Sequence, residues 1–181
     1  DQIVNNYLDA CQLDSGTRRA DNDNGILASG KNYTDMEHKW DEAFGYLYGQ
    51  EADATRADLG TSPTGNGTTL NKYFKKINDS NEPGLASTVF DAFKLGRAAI
   101  VAGNYDVRDA QANIIKINLS KVVGYKAIDY LESYMSKKDD TPADAVHALS
   151  EGYGFILSLM FTNDGTGSVS YTHLRAHETG N

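Results

Sequence analysis

Apolar residues recur along this chain at intervals of three and four positions, the spacing that places them on one face of an α-helix. No segment shows the strict apolar and polar alternation, bounded by hairpin turns, that is typical of β-strands. The stretch IIKINLSKVVGYKAI is rich in β-branched residues, but it falls inside a longer helical period. The pattern therefore predicts an all-α protein of antiparallel helices around one core.

Six helical segments are predicted. The first covers DQIVNNYLDACQL, the second begins at Thr34 and ends near Gly49, and the third covers TLNKYFKKIN. The fourth covers LASTVFDAFKLGRAAIVAG, and the fifth, which is the longest, runs from about Val107 to Lys137. The last begins in TPAD and ends near Phe161.

Two of these helices carry recognisable start signals. Thr34 and Glu37 form the Thr-x-x-Glu pattern of a capping box, in which the hydroxyl and the carboxylate satisfy free backbone N–H groups. In the last helix, Thr141 is placed to cap the N-terminus and Pro142 occupies the first helical position, where its missing N–H costs nothing.

The burial of the two C-terminal helices is predicted from their apolar positions. In the longest helix the residues expected to face inward are Ile114, Ile117, Val122, Ile128, Leu131 and Met135, and those left to water are Lys116, Lys126 and Lys137. The last helix is apolar nearly all round, which predicts a central position in the bundle. Its polar residues are then expected to be buried and to need partners.

An internal repeat links the second helix to the last. HKWDEAFGYLYG and HALSEGYGFILS share the pattern His-x-x-x-Glu-x-aromatic-Gly-aromatic-aliphatic. On a helical projection the His, the Glu and the Gly fall on one stripe, opposite the apolar residues of the second helix. Because glycine allows close approach of another backbone, the two helices are expected to pack through Gly45 and Gly154.

Two interpretations of the repeated polar residues remain open. In the first, each His is held by the Glu of its own helix and by a neighbouring Tyr, as a structural polar network. In the second, His38, Glu42, His147 and Glu151 converge and bind a divalent metal such as iron or zinc. Asp41 is a candidate additional ligand, although its position about 100° from Glu42 favours a basic side chain or water as its partner.

Composition narrows the classes of partner. The 181 residues suit one domain, and the net charge of -8 opposes attraction to nucleic acid or to anionic lipid. The chain contains no apolar run of about 18 residues that would span a membrane. Cys11 is the only cysteine, which excludes an intrachain disulfide.

The C-terminal residues differ in character from the rest. VSYTHLRAHET, Val169 to Thr179, looks like a translated sequencing adapter, so we expect residues 168–181 to be a non-native tail. His173, His177 and Glu178 are for this reason left out of the candidate metal ligands. Residues 1–167 are predicted to be a single, partial helical domain, and the first residue, Asp1, indicates an interior fragment of a longer chain.

Four segments resemble, in the same order, the family known as domain of unknown function 4856, which is related to imelysin: YTDMEHKWDEAFGYLYG, FDAFKLGRAAI, AIDYLESYM and HALSEGYGFILSLMF. The resemblance covers most of residues 32–161. It implies an imelysin-like helical bundle from a bacterium, exported to the periplasm or cell surface, usually as a lipoprotein with its signal peptide and lipid anchor upstream.

The resemblance also implies a function class. Imelysin-like proteins carry a His-x-x-Glu motif, and some are tied to iron uptake or were first described as peptidases. Here Asp41 stands three residues after His38, and Glu42 stands four after it. A metal-associated binding role is therefore expected, with a metallopeptidase or a structural and interaction bundle as alternatives. Peptidase activity is the weaker expectation, because a catalytic zinc needs three protein ligands and the chain has no His-Glu-x-x-His outside the tail.

Overall fold

The computed structural model describes residues 2–49, 51, 53 and 70–162. Within these ranges every regular element is helical and no strand occurs, which confirms the predicted all-α class. The α-helices are α1 (Ala10–Leu13), α2 (Arg18–Asp23), α3 (Asp35–Tyr48), α4 (Asn71–Ser80), α5 (Leu85–Val101), α6 (Tyr105–Lys137) and α7 (Pro142–Ser158). A π-helix, Gln2–Tyr7, precedes α1, and a 3-10 turn, Leu159–Phe161, follows α7. The predicted adapter tail, 168–181, lies outside the described residues.

The N-terminal segment is broken, where the sequence pattern predicted one helix as far as Leu13. The backbone N–H of Leu8 donates to the carbonyl of Ile3 at 3.0 Å, a π-helical bond that spans five residues. The Asp9 carboxylate then accepts from the N–H of Cys11 at 3.0 Å and starts α1. Because a short acidic side chain competes for backbone donors, Asp9 ends one helix and caps the next.

The predicted start of α3 is confirmed. The Thr34 hydroxyl accepts from the N–H of Glu37 at 3.3 Å, and the Glu37 carboxylate accepts from the N–H of Thr34 at 2.6 Å. The helix ends at Gly49, whose φ of 62° suits a residue without a side chain. In α7, Pro142 occupies the first turn as expected, but the Thr141 side chain makes no capping hydrogen bond.

The core lies where α3, α4, α5 and α6 meet. Short connections at 102–104 and 138–141 make α5, α6 and α7 successive antiparallel neighbours, and α3 packs across α5. Trp40 of α3 is almost completely buried, and its indole N–H donates to the carbonyl of Phe93 at 2.9 Å. The largest fully buried apolar side chains are Trp40, Tyr48, Phe74, Phe93, Leu8, Leu13, Met36, Leu47, Ile77, Ile100 and Ile115.

The inward face of α6 differs from the prediction. The buried seam follows a three-and-four spacing through Tyr105, Arg108, Ala112, Ile115, Leu119, Val122 and Lys126. Of the residues predicted inward, Val122 is buried, Ile114 and Ile117 are half-buried, and the remaining three are exposed, namely Ile128, Leu131 and Met135. Lys116 and Lys126, predicted to face water, are buried.

The physical reason is helix length. With 33 residues against 17, α6 runs well beyond the end of α5, so its second half has fewer neighbours. The C-terminal part of the apolar stripe that was predicted to face the core lies on another side of the helix. There no other described helix covers it, and its side chains stay exposed.

The prediction that α7 is central was wrong. This helix packs against α6 and the 3-10 turn, and it buries only Ala145, Ala148 and Gly152. A Cβ added at Gly152 would lie 3.2 Å from the Cβ of Tyr130, so the small size of these three residues allows α7 to approach α6 closely. Phe155 of α7 is half-buried against Tyr130, whereas the other large apolar side chains of this helix are exposed. No helix among the described residues is long and apolar enough to cross a membrane.

Candidate functional site

The α3 half of the predicted site is a surface cluster. His38 Nε2 lies 3.6 Å from Glu42 Oε1, and the His38 side chain is 46% exposed. The His38 ring stacks on Tyr33 with ring centroids 5.1 Å apart. Glu42 also accepts from Lys39 Nζ at 2.8 Å. His38 therefore contacts the Glu of its own helix and a nearby Tyr, the two neighbours of the structural interpretation, through a 3.6 Å charge contact and ring stacking.

Asp41 meets a basic side chain on another helix. Arg97 of α5 donates from Nε to Asp41 Oδ1 at 2.9 Å and from Nη1 to Glu37 Oε1 at 2.6 Å. Burial acts to raise the pKa of Glu37, but the hydrogen bonds from Thr34 and Arg97 outweigh it and lower that pKa. Arg97 thus ties two carboxylates of α3 to α5, and the role of Asp41 in this geometry is to join helices.

The α7 half of the predicted site is arranged differently. His147 is exposed and Glu151 is half-buried, which corrects the expectation of a buried polar pair. Among the described residues no ion pair joins His147 to Glu151, although Glu151 contributes to raising the pKa of Tyr130, after burial and Tyr73. The two sequence repeats therefore do not have equivalent surroundings.

The glycine faces do not pack together. A Cβ built at Gly45 or at Gly154 would meet no atom within 4 Å, so neither glycine lies at a close helix contact. The helices packed against α3 are α1, α2, α5 and the π-helix, whereas those packed against α7 are α6 and the 3-10 turn. The glycines at close contacts are instead Gly96, which lies against the Trp40 ring, and Gly152, which lies against Tyr130 and the backbone of Leu131.

The five candidate metal ligands are consequently not brought together. His38, Asp41 and Glu42 lie on α3, His147 and Glu151 lie on α7, and these helices share no extended interface. In the part of the chain that the structure describes, no group of three or more His, Cys, Asp or Glu could hold a metal ion. The residues present do not fit a shared metal centre in this arrangement.

Two cations of α6 are buried: Arg108, for which the sequence analysis made no prediction, and Lys126, which it placed in water. Arg108 is 0% exposed, and its Nη1 donates to Asp14 Oδ1 at 2.6 Å while its Nε donates to Asp109 at 2.8 Å. Lys126 lies over the rings of Tyr73 and Tyr130, with Nζ 5.7 and 4.6 Å from the ring centroids. Both cations lie on the buried seam of Ile115, Leu119 and Val122. Extending that seam along the sequence in steps of three and four would have predicted their burial.

Within the described residues, several large apolar side chains are exposed together on the α6–α7 hairpin. We define the α6–α7 face as seven side chains, each between 38% and 64% exposed: Ile128, Leu131, Met135, Val146, Leu149, Tyr153 and Ile156. On each helix the residues of the face are spaced by three and four, the repeat found in helices that pair lengthwise. On each helix this stripe lies about 90° from the α6–α7 contact, in the same rotational sense. Because the helices are antiparallel, both stripes open to the same side of the hairpin.

Comparison with known proteins identifies a family and no individual relative. The family model described as Domain of unknown function (DUF4856) matches residues 1–178. Neither a curated protein nor a solved structure matches the chain.

Proposed function

This chain belongs to the family described as domain of unknown function (DUF4856), and from that premise we propose that it is an interaction bundle that pairs with a second copy of itself through the α6–α7 face. The observation that carries the proposal is the exposure of seven large apolar side chains on one side of one hairpin.

The area of the face suits a specific interface. At the exposures of these side chains the face presents on the order of 600 Å², at the upper end of what monomeric proteins leave uncovered. Standard protein interfaces bury about 800 Å² per partner, which the face and a polar rim would supply. Covering it removes apolar surface from water, which is the main driving force of association.

The shape of the face suits a second copy. The contact of Gly152 with Tyr130 sets the register of the two antiparallel helices. In that register Met135 is about level with Val146, Leu131 with Leu149, and Ile128 with Tyr153. A partner with the same two-helix surface completes a four-helix arrangement about a twofold axis. The α7 side of the face contains no charged residue, so the net charge of -8 does not place like charges in its centre.

Sedimentation velocity measures the proposed pairing. We expect the chain to form dimers with a dissociation constant in the micromolar range, roughly -8 kcal/mol of binding free energy. Val146→Lys places a charge in the face and is expected to weaken pairing at least tenfold, because the ammonium group would have to be buried without a partner.

His147→Lys is the matched control, since it changes the adjacent, exposed residue on another side of α7. This variant should pair like the wild type. A chain that stays monomeric at about 100 µM, or equal weakening by both substitutions, would contradict the proposed role.

Metal-associated binding remains a prediction from the resemblance, and the geometry supports it less. His38 and Glu42 give at most a two-residue ligand pair on α3, short of the three protein ligands of a catalytic zinc. Metal analysis of the wild type and of His38→Ala and His147→Ala is the decisive measurement. Equal loss of bound metal in both variants would support a shared site, whereas a metal content that neither variant alters would argue against it.

We also propose that the protein is exported, as a periplasmic or cell-surface lipoprotein. The support is the resemblance to imelysin-like proteins. Fractionation of cells expressing the complete gene, with labelling by a lipid precursor, tests the location and the anchor. Recovery of unlabelled protein in the cytoplasm would refute both.

A further inference from the structure

We propose that a pocket beside the π-helix binds an uncharged, largely apolar small molecule. The pocket is formed where the π-helix, α6, α7 and the 3-10 turn meet, and its volume is about 410 Å³. Pockets that enclose small organic ligands typically measure about 300 to 1,000 Å³. It is separate from the α6–α7 face, so this inference does not rest on the proposed pairing.

The walls of the pocket are mostly apolar. The side chains that form them include Ile3, Val4, Leu119, Val123, Phe155 and Phe161. Ile3, Val4 and Leu119 are themselves buried, so they provide a fixed base. The amide of Asn5 donates to the carbonyl of Phe161 at 3.4 Å and joins the π-helix to the 3-10 turn along one side. An apolar ligand would lose contact with water on several sides.

The polar groups of the pocket select against charge. None of the described residues that line it is Asp, Glu, Lys, Arg or His. The Ser158 hydroxyl donates to the carbonyl of Gly154 at 2.8 Å, and the Thr162 hydroxyl donates to that of Leu159 at 2.7 Å. Since each hydroxyl has used its hydrogen, its oxygen offers an acceptor to the pocket. A ligand with one N–H or O–H donor fits, whereas an anion would meet no cation among the described lining residues and would lose much of its hydration.

The backbone gives an independent reason to expect a site here. Helical turns with π-type hydrogen bonds are rare in proteins, and those that occur often lie at functional sites. The π-helix Gln2–Tyr7 contributes three of its six residues to the pocket. The rare backbone geometry of this segment and the pocket therefore occur at the same place in the fold.

A matched pair of fluorescent probes tests the ligand class. N-phenyl-1-naphthylamine is uncharged and has one N–H donor, and 8-anilino-1-naphthalenesulfonate adds a sulfonate to the same ring system. We expect saturable, one-site enhancement of fluorescence with the neutral probe and at least tenfold weaker binding of the sulfonate. No saturable enhancement, or equal affinity for the two probes, would overturn the proposal.

A matched pair of variants tests the location. Val123→Trp fills the pocket, while Val101→Trp adds the same ring at the exposed end of α5, outside both the pocket and the α6–α7 face. We expect Val123→Trp to lower the affinity for the neutral probe at least tenfold and Val101→Trp to change it less than twofold. Ser158→Phe is a second variant that fills the pocket from α7. If Val123→Trp does not melt cooperatively, Ser158→Phe takes its place, and we expect the same tenfold loss of affinity. Probe binding that survives in the folded pocket variants would overturn the assignment.

Discussion

Replacing Gly96 with alanine is expected to destabilise the protein, although alanine is the better helix former. A Cβ built at Gly96 would lie 3.0 Å from Trp40 Cε2 and closer still to Cζ2 and Cη2. Trp40 is fully packed: its ring meets Phe93 edge-on with centroids 5.9 Å apart, and its N–H is bonded to the Phe93 carbonyl. The ring must therefore move by about 1 Å or more to restore contact distances.

The size of the effect follows from three contributions. Forcing an extra methyl group into a packed core costs about 1–3 kcal/mol, and straining the indole hydrogen bond adds about 1 kcal/mol. Removing a helical glycine returns up to about 1 kcal/mol. The free energy of unfolding should thus fall by about 1–3 kcal/mol, with a drop in melting temperature of about 2–12 °C for a chain of this size.

Urea unfolding followed by circular dichroism measures this change. Gly45→Ala is the control, because a Cβ there meets nothing within 4 Å and should raise the free energy of unfolding by about 0.5–1 kcal/mol. In a Trp40→Phe background, where the smaller ring leaves room, Gly96→Ala should cost much less. If Gly96→Ala leaves the stability within 0.5 kcal/mol of wild type or raises it, the proposed contact between α3 and α5 is wrong.

Three further predictions concern polar residues. Asp14→Asn removes one of the two carboxylates paired with the buried Arg108, leaving Asp109, and should lower the free energy of unfolding by about 1.5–3 kcal/mol, measured in urea. Because hydrogen bonding to Arg108 lowers the pKa of Asp14 in the folded state, the pair stabilises the protein above the unfolded pKa of about 3.9 and loses this effect as the pH falls through the folded value. Asp14→Asn should therefore flatten the acid limb of the stability curve, and an unchanged limb would refute this. Thr34→Ala removes the hydroxyl half of the capping box and should lower the free energy of unfolding by about 1 kcal/mol. Thermal melts measure this change, and an unaltered melting temperature would show that the box does not contribute to stability. Burial lowers the pKa of Lys116, so Lys116→Met should leave the free energy of unfolding unchanged or raise it by up to about 2 kcal/mol, and a clear fall in urea experiments would count against this.

For the candidate metal ligands, the sequence predicts spacing within a helix but not which helices are neighbours. The repeat correctly put His38 and Glu42 one turn apart on one helix, because that relation depends only on helical geometry. Whether the equivalent pair on α7 comes near depends on how whole helices pack. The structure places α3 against α5, while α7 packs against α6. Sequence similarity between two helices does not require them to be neighbours.

The sequence by itself determined the helical class, the approximate bounds of the longer helices, the capping box at Thr34 and the place of Pro142 in the first turn of α7. These features depend on residues within one or two turns, so their chemistry is local. Only the tertiary structure decided which side of α6 is buried. That helix has one three-and-four seam that runs through Arg108 and Lys126, and another that runs through Ile128 and Met135.

Composition favours the second seam as the core, because its residues are apolar. The folded chain buries the first instead, because α5 is shorter than α6 and the short connection at 102–104 sets its position. The cations on that seam then find carboxylates and aromatic rings supplied by distant segments, such as Asp14 and Tyr73. Burial depends on which neighbours are present, and neighbours far apart in the chain are fixed only when the helices pack.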